Sequence, residues 1–163
     1  MESNLVYREQ QRFRQWWLWV IILGLTIFWI GLILISRELV VVLLALILDL
    51  GLIVFMYNLK LDTEVIDTGV RIKFWPFHRK WVLFEFSNIE SVEEVRYRPL
   101  ADYGGWGIRY GIFDELHAKA YTVSGNMGVM IRITDGSNVL IGTKHSPDLC
   151  SSINIASAHT TPD

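Results

Sequence analysis

Asp49 is the residue whose chemistry fits its surroundings least, because it is the only charged residue between Leu39 and Tyr57. That apolar run is long enough to cross a bilayer core about 30 Å thick. A carboxylate at its centre costs about 2.5–3.5 kcal/mol on insertion scales, and protonation together with a hydrogen bond to a neighbouring helix lowers that cost. Thr26 and the Trp29 indole are the polar groups at similar depth in the preceding apolar run, so we expect Asp49 to pair with one of them.

Three roles for Asp49 are open. It can hold the two apolar segments or an oligomer together through a hydrogen bond, face another subunit as a tolerated acid, or relay protons or ions. A relay needs several polar groups in series, and neither apolar run contains another ionisable residue. The pattern therefore favours the structural role, with Thr26 as the accompanying intramembrane polar residue.

A glycine-rich loop at residues 104–107, with the sequence GGWG, is the most distinctive local pattern. Its glycines permit positive φ angles and close approach of the backbone. One interpretation is a partner-binding loop with Trp106 as an aromatic anchor, Tyr103 beside it, and Arg98 and Arg109 available for an anionic group. The favoured interpretation is a strand bend that places Trp106 inside the domain. The spacing is not the Gly-x-Gly-x-x-Gly of a nucleotide-binding loop.

Aromatic and basic residues are mixed in a second segment, Phe74–Trp81. Trp75 and Phe77 are suited to the headgroup region of a membrane. Arg79 and Lys80 are suited to an anionic lipid surface, where each cation contributes about 1 kcal/mol. An ordinary hairpin with a solvated basic turn accounts for the same residues equally well. Both interpretations stay open, and both place this segment shortly after the second apolar run.

The sequence contains no residue pattern that predicts a catalytic or metal-binding site. The four histidines are neither paired at i, i+4 spacing nor accompanied by a metal-ligand set: His78, His117, His145 and His159. The proximity of His145 and Cys150 is better explained by chance than by a nucleophile and its base. A single cysteine excludes an internal disulfide, and a net charge of −2 gives no argument for nucleic acid. We therefore expect no catalysis, no cofactor and no metal.

Two apolar runs, Trp16–Ile35 and Leu39–Tyr57, fill the first third of the chain, with only residues 36–38 between them. Each run is long enough to cross a membrane as a helix, and so short a connection predicts a hairpin. The first run is longer than the core of a signal peptide. Basic residues, Arg8 and Lys60 among them, flank the outer ends of the hairpin. This distribution predicts a two-span protein of the cell membrane with both termini in the cytoplasm.

The chain changes character after the second run. Short stretches in which apolar and polar residues alternate, such as Val70–Trp75, are separated by turn residues, which is typical of β-strands. About seven strands are predicted, followed by an amphipathic helix. The start and apolar face of that helix are indicated by Ser146, Pro147, Leu149, Ile153 and Ala156. The predicted organisation is a cytoplasmic N-terminal segment (1–15), a transmembrane hairpin (16–57), a β domain (58–158) and a tail (159–163).

Strands followed by one terminal helix resemble the pleckstrin-homology-like (PH-like) fold, and the preceding hairpin resembles the bacterial membrane-anchored version of it. A closer similarity is to an uncharacterised family of small two-span membrane proteins. The residues that carry these resemblances are 69–72, 86–92, 97–100, 102–109, 120–126 and 140–143. The resemblance implies a PH-like barrel of about seven strands closed by the C-terminal helix. It brings no known activity with it.

The expected function is binding. The hairpin would anchor a scaffold module that presents a cytoplasmic domain at the inner membrane face, with the lipid bilayer and either a second copy of the chain or another membrane protein as partners. Nucleic acid is not an expected partner. The alternative is a small membrane-embedded subunit of a transport or channel complex that uses Asp49.

Overall fold

A computed structural model describes residues 4–36, 38–111 and 118–160, apart from the side chains of Ser36 and Thr160. These residues form two compact units. One is a helical pair within Arg12–Leu59, and the other is a β domain that contains the residues up to Gln11 and those from Lys60 onward. The predicted tail at 159–163 falls mostly outside the described residues, and so do Arg37 of the hairpin turn and His117.

The helical pair consists of α1 (Trp16–Ser36) and α2 (Leu39–Asn58), which pack against each other. Both helices are long and apolar enough to cross a membrane. Only 6% of the apolar window of α1 and 11% of that of α2 are buried within the protein, in contrast to the core helix of a soluble protein. The two apolar runs therefore form two candidate membrane spans, as predicted.

The β domain contains two sheets. In the first sheet the strand order is β1-β2-β3-β4, with β1 at Leu5–Arg12, β2 at Lys60–Ile66, β3 at Gly69–Trp75 and β4 at Val82–Glu85. In the second sheet the order is β5-β8-β9-β7-β6, with β5 at Ile89–Arg96, β6 at Gly107–Tyr110, β7 at Ala118–Thr122, β8 at Met127–Ile133 and β9 at Asn138–Gly142. A short helix, α3 (Pro99–Tyr103), precedes β6.

Strand β1 is the element that the sequence did not predict. The Asp67 backbone N–H donates to the Asn4 carbonyl, and the Gln10 side chain donates to Asp62 Oδ1 at 2.6 Å. The start of β1 thus lies beside the end of β2, and the end of β1 lies beside the start of β2. The two strands are therefore antiparallel. This pairing makes the N-terminal segment part of the first sheet, although both apolar helices separate β1 from β2 in the sequence.

The outer face of the first sheet contains acidic and basic side chains that pair with each other. Glu64 of β2, only 4% exposed, lies between Arg71 of β3 at 2.6 Å and Arg8 of β1 at 3.4 Å. Buried carboxylates need partners of this kind, because an unpaired buried charge is strongly unfavourable. The inner face is apolar: Leu61, Val65, Val70, Ile72 and Phe74 are fully buried.

The last helix, α4 (Ser146–Thr160), packs against β2 and β3 of the first sheet and β5 and β8 of the second. Leu149 and Ile153 are fully buried and Ala156 is 6% exposed, which is the face that the i, i+4, i+7 spacing predicted. A mainly-β domain with a C-terminal helix is therefore confirmed. The two sheets are not closed into a barrel.

Candidate functional site

Asp49 of α2 contacts Thr26 of α1. Thr26 Oγ1 lies 2.7 Å from Asp49 Oδ2 and 3.0 Å from the Ile22 carbonyl oxygen. A threonine hydroxyl has one proton to donate, so Thr26 shares that proton between the Asp49 carboxyl and the Ile22 carbonyl. The contact gives the Asp49 carboxyl a hydrogen-bond partner on the neighbouring helix, which a polar group in an apolar environment needs.

Asp49 is also one of the residues that line an apolar cleft of about 500 Å³ on the helical pair. Residues of both helices line this cleft, including Leu25 and Trp29 of α1 and Leu52 and Phe55 of α2. Asp49 Oδ1 is buried and has no hydrogen-bond partner among the described residues. The cleft thus joins one hydrogen-bonding group to a largely apolar surface.

Replacing Asp49 by leucine is expected to destabilise the helical pair by about 1 kcal/mol, the scale of a hydrogen bond between membrane helices. This corresponds to a fall of about 2–4 °C in the melting temperature of a chain of this size. Asp49→Asn keeps a donor for Thr26 and is expected to behave like the wild type. Thermal unfolding and oligomeric state in detergent measure the effect, and unchanged values for Asp49→Leu would remove the structural role.

The aromatic tip, residues 75–80, forms the turn between β3 and β4 in the first sheet. Trp75 is 37% and Phe77 59% exposed, and Arg79 and Lys80 are both exposed. The structure thus brings the four residues of the predicted membrane-surface set together in one turn. Two other cations of β3 are not part of the tip. Arg71 and Lys73 lie over the Trp81 ring on the face of the sheet, at 4.8 and 5.9 Å from the ring centroid.

His78 is the half-buried member of the aromatic tip. Its ring centroid lies 5.7 Å from that of the buried Tyr121. Burial lowers the pKa of His78 below its ordinary value, and the nearby Lys119 ammonium lowers it further. The folded protein therefore holds this imidazole in its neutral form at a pH at which the unfolded chain already binds a proton.

Acidification through the ordinary pKa of histidine is expected to weaken the β domain through His78. Above about pH 6.5 the side chain is neutral in both states and contributes nothing. Below that pH the unfolded state binds the proton first, so the free energy of unfolding falls. Melting curves between pH 7.5 and 5.5 should show a smaller loss for His78→Phe, which keeps an aromatic ring beside Tyr121. Equal losses in the two proteins would contradict the prediction.

Trp106 of the glycine-rich loop is half-buried and tied to a neighbouring turn. Its indole N–H donates to the Gly125 carbonyl at 3.1 Å, and Arg109 Nε donates to the Trp106 carbonyl at 3.4 Å. All three glycines of the loop have positive φ, and Gly104 at +69° ends α3. The glycines are therefore explained by the positive φ angles of the loop backbone. The same loop holds Trp106 next to the exposed Arg109.

The other two residues of the predicted partner-binding set lie at the ends of α3. The Arg98 side chain is 81% exposed and lies 3.3 Å from Asp102, whose carboxylate also accepts the Arg98 backbone N–H. Tyr103 is only 3% exposed and meets Tyr97 edge to face at 6.0 Å. Arg98 is thus accessible, whereas Tyr103 belongs to the interior of the domain.

A group of buried hydroxyls beneath β9 was not anticipated from the sequence. Tyr97, Tyr103 and Thr122 are each at most 5% exposed, and the side chains of Tyr97 and Thr122 interact with each other. Burial raises the pKa of Tyr97 to about 12. The three residues come from separate elements, so no spacing pattern could have predicted their grouping.

A polar corner between β1 and the start of α4 was also missed. Glu9 accepts hydrogen bonds from the hydroxyls of Tyr7 and Thr143 and from the Lys144 backbone N–H. Gln11, 3% exposed, donates to the Gly142 carbonyl at 2.6 Å. These contacts connect β1 of the first sheet to the end of β9 in the second. Residues 7–11 have the sequence YREQQ, which shows no alternation of apolar and polar residues, so no local signal indicated this corner.

Chemistry at the single cysteine is disfavoured. Burial and the nearby Glu94 carboxylate raise the pKa of Cys150, which disfavours the reactive thiolate. Within the described ranges, no three His, Cys, Asp or Glu side chains are grouped so that they could hold a metal ion.

Comparisons with family models, curated proteins and solved structures return no match. The PH-like resemblance therefore stays a prediction.

Proposed function

We propose that the protein is a membrane-anchored binding module. In this proposal the helical pair crosses the membrane twice, and the β domain holds a partner protein or a second copy of the chain at the inner membrane face. The observation that carries the proposal is the pairing of β1 with β2. β1 precedes α1 in the chain and β2 follows α2, so one sheet contains both ends of the helical pair.

This pairing supports a double crossing, because two strands of one sheet must lie on the same side of a membrane. A single crossing would place β1 and β2 on opposite sides and break the first sheet. The choice of the cytoplasmic side rests on the basic residues that flank the outer ends of the helices, since positive charges are retained in the cytoplasm. Arg8 and Lys60 are among these residues.

A PH-like architecture is part of the proposal. Two antiparallel-rich sheets that both pack on one C-terminal helix support it, although they do not form a closed barrel. Binding is proposed rather than catalysis because two accessible arginines on either side of Trp106 in the sequence are held in place by contacts within the domain. Arg109 is bound to a backbone carbonyl and Arg98 to Asp102, which suits a preformed recognition surface for an acidic partner.

Two cysteine-labelling results would test the topology. In a Cys150→Ser background, Thr68→Cys places a thiol on the exposed turn between β2 and β3. A membrane-impermeant maleimide is expected to label this thiol only after the cell membrane is opened. Labelling of intact cells would place the β domain outside and overturn the proposal.

Photo-crosslinking in cells would test binding. A photo-reactive amino acid at position 106 is expected to capture a defined partner, and the same group at position 68 serves as the control on an exposed turn. Arg109→Glu should reduce the cross-link at 106 if the partner is acidic. Mass spectrometry separates a second copy from another protein. Equal, non-specific capture at both positions would count against a binding surface at Trp106.

The transport alternative has one observation in its favour: Asp49 lines the helical cleft, and its Oδ1 has no hydrogen-bond partner among the described residues. A transport subunit predicts proton or ion flux in vesicles that Asp49→Asn abolishes. A binding module predicts that partner capture at position 106 survives Asp49→Asn. The two functions are therefore separated by one substitution.

A further inference from the structure

We propose that the aromatic tip is a second membrane contact, in which Trp75 and Phe77 enter the headgroup layer of an anionic bilayer while Arg79 and Lys80 bind its phosphates. This inference rests on the proposed membrane anchoring and adds a specific lipid partner to it. Three properties of the described residues carry it: the position of the tip along the chain, the exposure of its aromatic rings, and its unbalanced positive charge.

The position follows from strand register and chain connectivity. Trp75 pairs with Lys60 across β2 and β3, and Lys60 is two residues beyond Asn58, the last residue of α2. Paired Cα atoms in antiparallel strands are about 4.5–5.5 Å apart, and two residues span about 7 Å at most. The Trp75 Cα therefore lies within about 13 Å of the end of the membrane helix.

The opposite turn of the same sheet provides a contrast. The β2–β3 turn at Asp67 and Thr68 follows Ile66, at the far end of β2 from Lys60. At about 3.3 Å per residue, the length of β2 separates the two ends by about 20 Å. The chain connection thus joins α2 directly to the end of the first sheet that contains the aromatic tip, and the β2–β3 turn is at the opposite end of the strands.

The side chains at the near end fit an interface. Trp75 and Phe77 keep 37% and 59% of their surface exposed, although rings of this size are usually buried. Aromatic rings are enriched at the level of lipid headgroups, where one part of the ring is in an apolar environment and the other near water. Exposed rings in water need a covering, and the nearest apolar phase to this turn is the bilayer that α2 enters.

The charge of the tip selects an anionic surface. Arg79 and Lys80 are exposed, and neither has a carboxylate partner within the part of the chain that the structure describes. No acidic residue occurs between Phe74 and Phe84. Basic residues close to a membrane are attracted by anionic headgroups, and this attraction weakens with salt. The tip therefore combines apolar insertion with charge, which together hold more firmly than either alone.

Spin-label depth measurements on the full chain in nanodiscs test the inference. In a Cys150→Ser background, a nitroxide is attached at Phe77→Cys or, as the control, at Thr68→Cys. Oxygen, which concentrates in lipid, and a water-soluble nickel complex report the depth of each label. We expect the label at 77 to favour oxygen and the label at 68 to favour nickel, with a deeper position at 77 in phosphatidylglycerol-containing discs than in phosphatidylcholine discs.

Charge reversal sharpens the test. Arg79→Glu is expected to move the label at 77 towards water in anionic discs, and added salt should do the same. Arg132→Glu is the control, because this exposed arginine lies on β8 of the second sheet, outside the aromatic tip. The control should leave the depth at 77 unchanged.

The outcomes separate this inference from the proposed function. A chain that does not enter nanodiscs overturns the membrane anchor itself. A chain that enters them but leaves positions 77 and 68 equally exposed to water overturns only the second contact. Equal depth at 77 in both lipid compositions, unaffected by Arg79→Glu, overturns the assignment of anionic headgroups. Spin–spin broadening between labels at 77 assigns the tip to a second copy of the chain and also overturns it.

Discussion

Replacing Ile153 by alanine is expected to lower the free energy of unfolding of the β domain by about 2–5 kcal/mol. Ile153 is fully buried on α4, which packs on strands of both sheets. Truncation removes apolar contacts and leaves a cavity where the two sheets and the helix meet, a site that cannot collapse without moving one of them. Denaturant unfolding of the full chain in detergent, followed by the circular dichroism of the β-sheets, measures the loss.

Ile155→Ala is the matched control for that experiment. This residue is on the same helix, two positions further on, and is 57% exposed. Positions i and i+2 of a helix point in different directions, so the control should change stability by less than about 0.5 kcal/mol. Comparable losses for the two variants would mean that α4 does not seal the core through the face that contains Ile153.

Removing the two inward-facing polar side chains of β1, with Glu9→Ala and Gln11→Ala in one protein, is expected to cost about 3–5 kcal/mol. Glu9 accepts three hydrogen bonds, and the buried Gln11 donates one to Gly142. Hydrogen bonds to a charged group contribute about 1.5–3 kcal/mol, and buried groups left without partners cost about 1–3 kcal/mol more. The same unfolding assay applies, and limited proteolysis reports whether β1 has left the sheet.

Arg8→Ala tests whether any change in β1 has the same effect. Its ion pair with Glu64 is exposed on the arginine side, and Glu64 keeps Arg71 as a partner. An exposed ion pair contributes at most about 1 kcal/mol. If Arg8→Ala were as damaging as the double variant, the polar corner would not be the contact that joins β1 to the second sheet.

Local sequence signals were enough to predict most elements of the fold. Uninterrupted apolar runs indicated α1 and α2, alternation indicated strands such as β3 and β8, and the spacing of Leu149, Ile153 and Ala156 indicated α4. These signals are short-range consequences of helical and extended geometry. They identify an element without indicating its neighbours, so the split into two sheets and the parallel pairing of β7 with β9 could not follow from them.

Strand β1 escaped prediction because its two faces are both polar. Arg8 and Gln10 face charged partners on the outer side, and Glu9 and Gln11 face the corner of the second sheet. Alternation of apolar and polar residues, the usual sign of a strand, is therefore absent. The partners that explain these residues are more than 50 positions away in the chain, as the Gln10–Asp62 contact shows with a separation of 52.

The candidate sites were predictable to different degrees. The depth argument for an antiparallel hairpin left Thr26 and Trp29 as candidate partners of Asp49, and the structure has the hydrogen bond to Thr26. The aromatic tip was predicted as a turn, but its exposure depends on what packs around it. The tie between Trp106 and Gly125 and the burial of Tyr103 depend on tertiary contacts between segments distant in sequence, which residue types alone do not determine.

The interleaving of β1 with the helices imposes an order of assembly. β1 leaves the ribosome before either helix, whereas β2, the strand it joins, is synthesised only after both. The amino-terminal strand must therefore stay unpaired until both helices and β2 have been synthesised. In the proposed two-span topology, a chain that left β1 on the opposite side of the membrane would have an incomplete first sheet with β2 as an open edge.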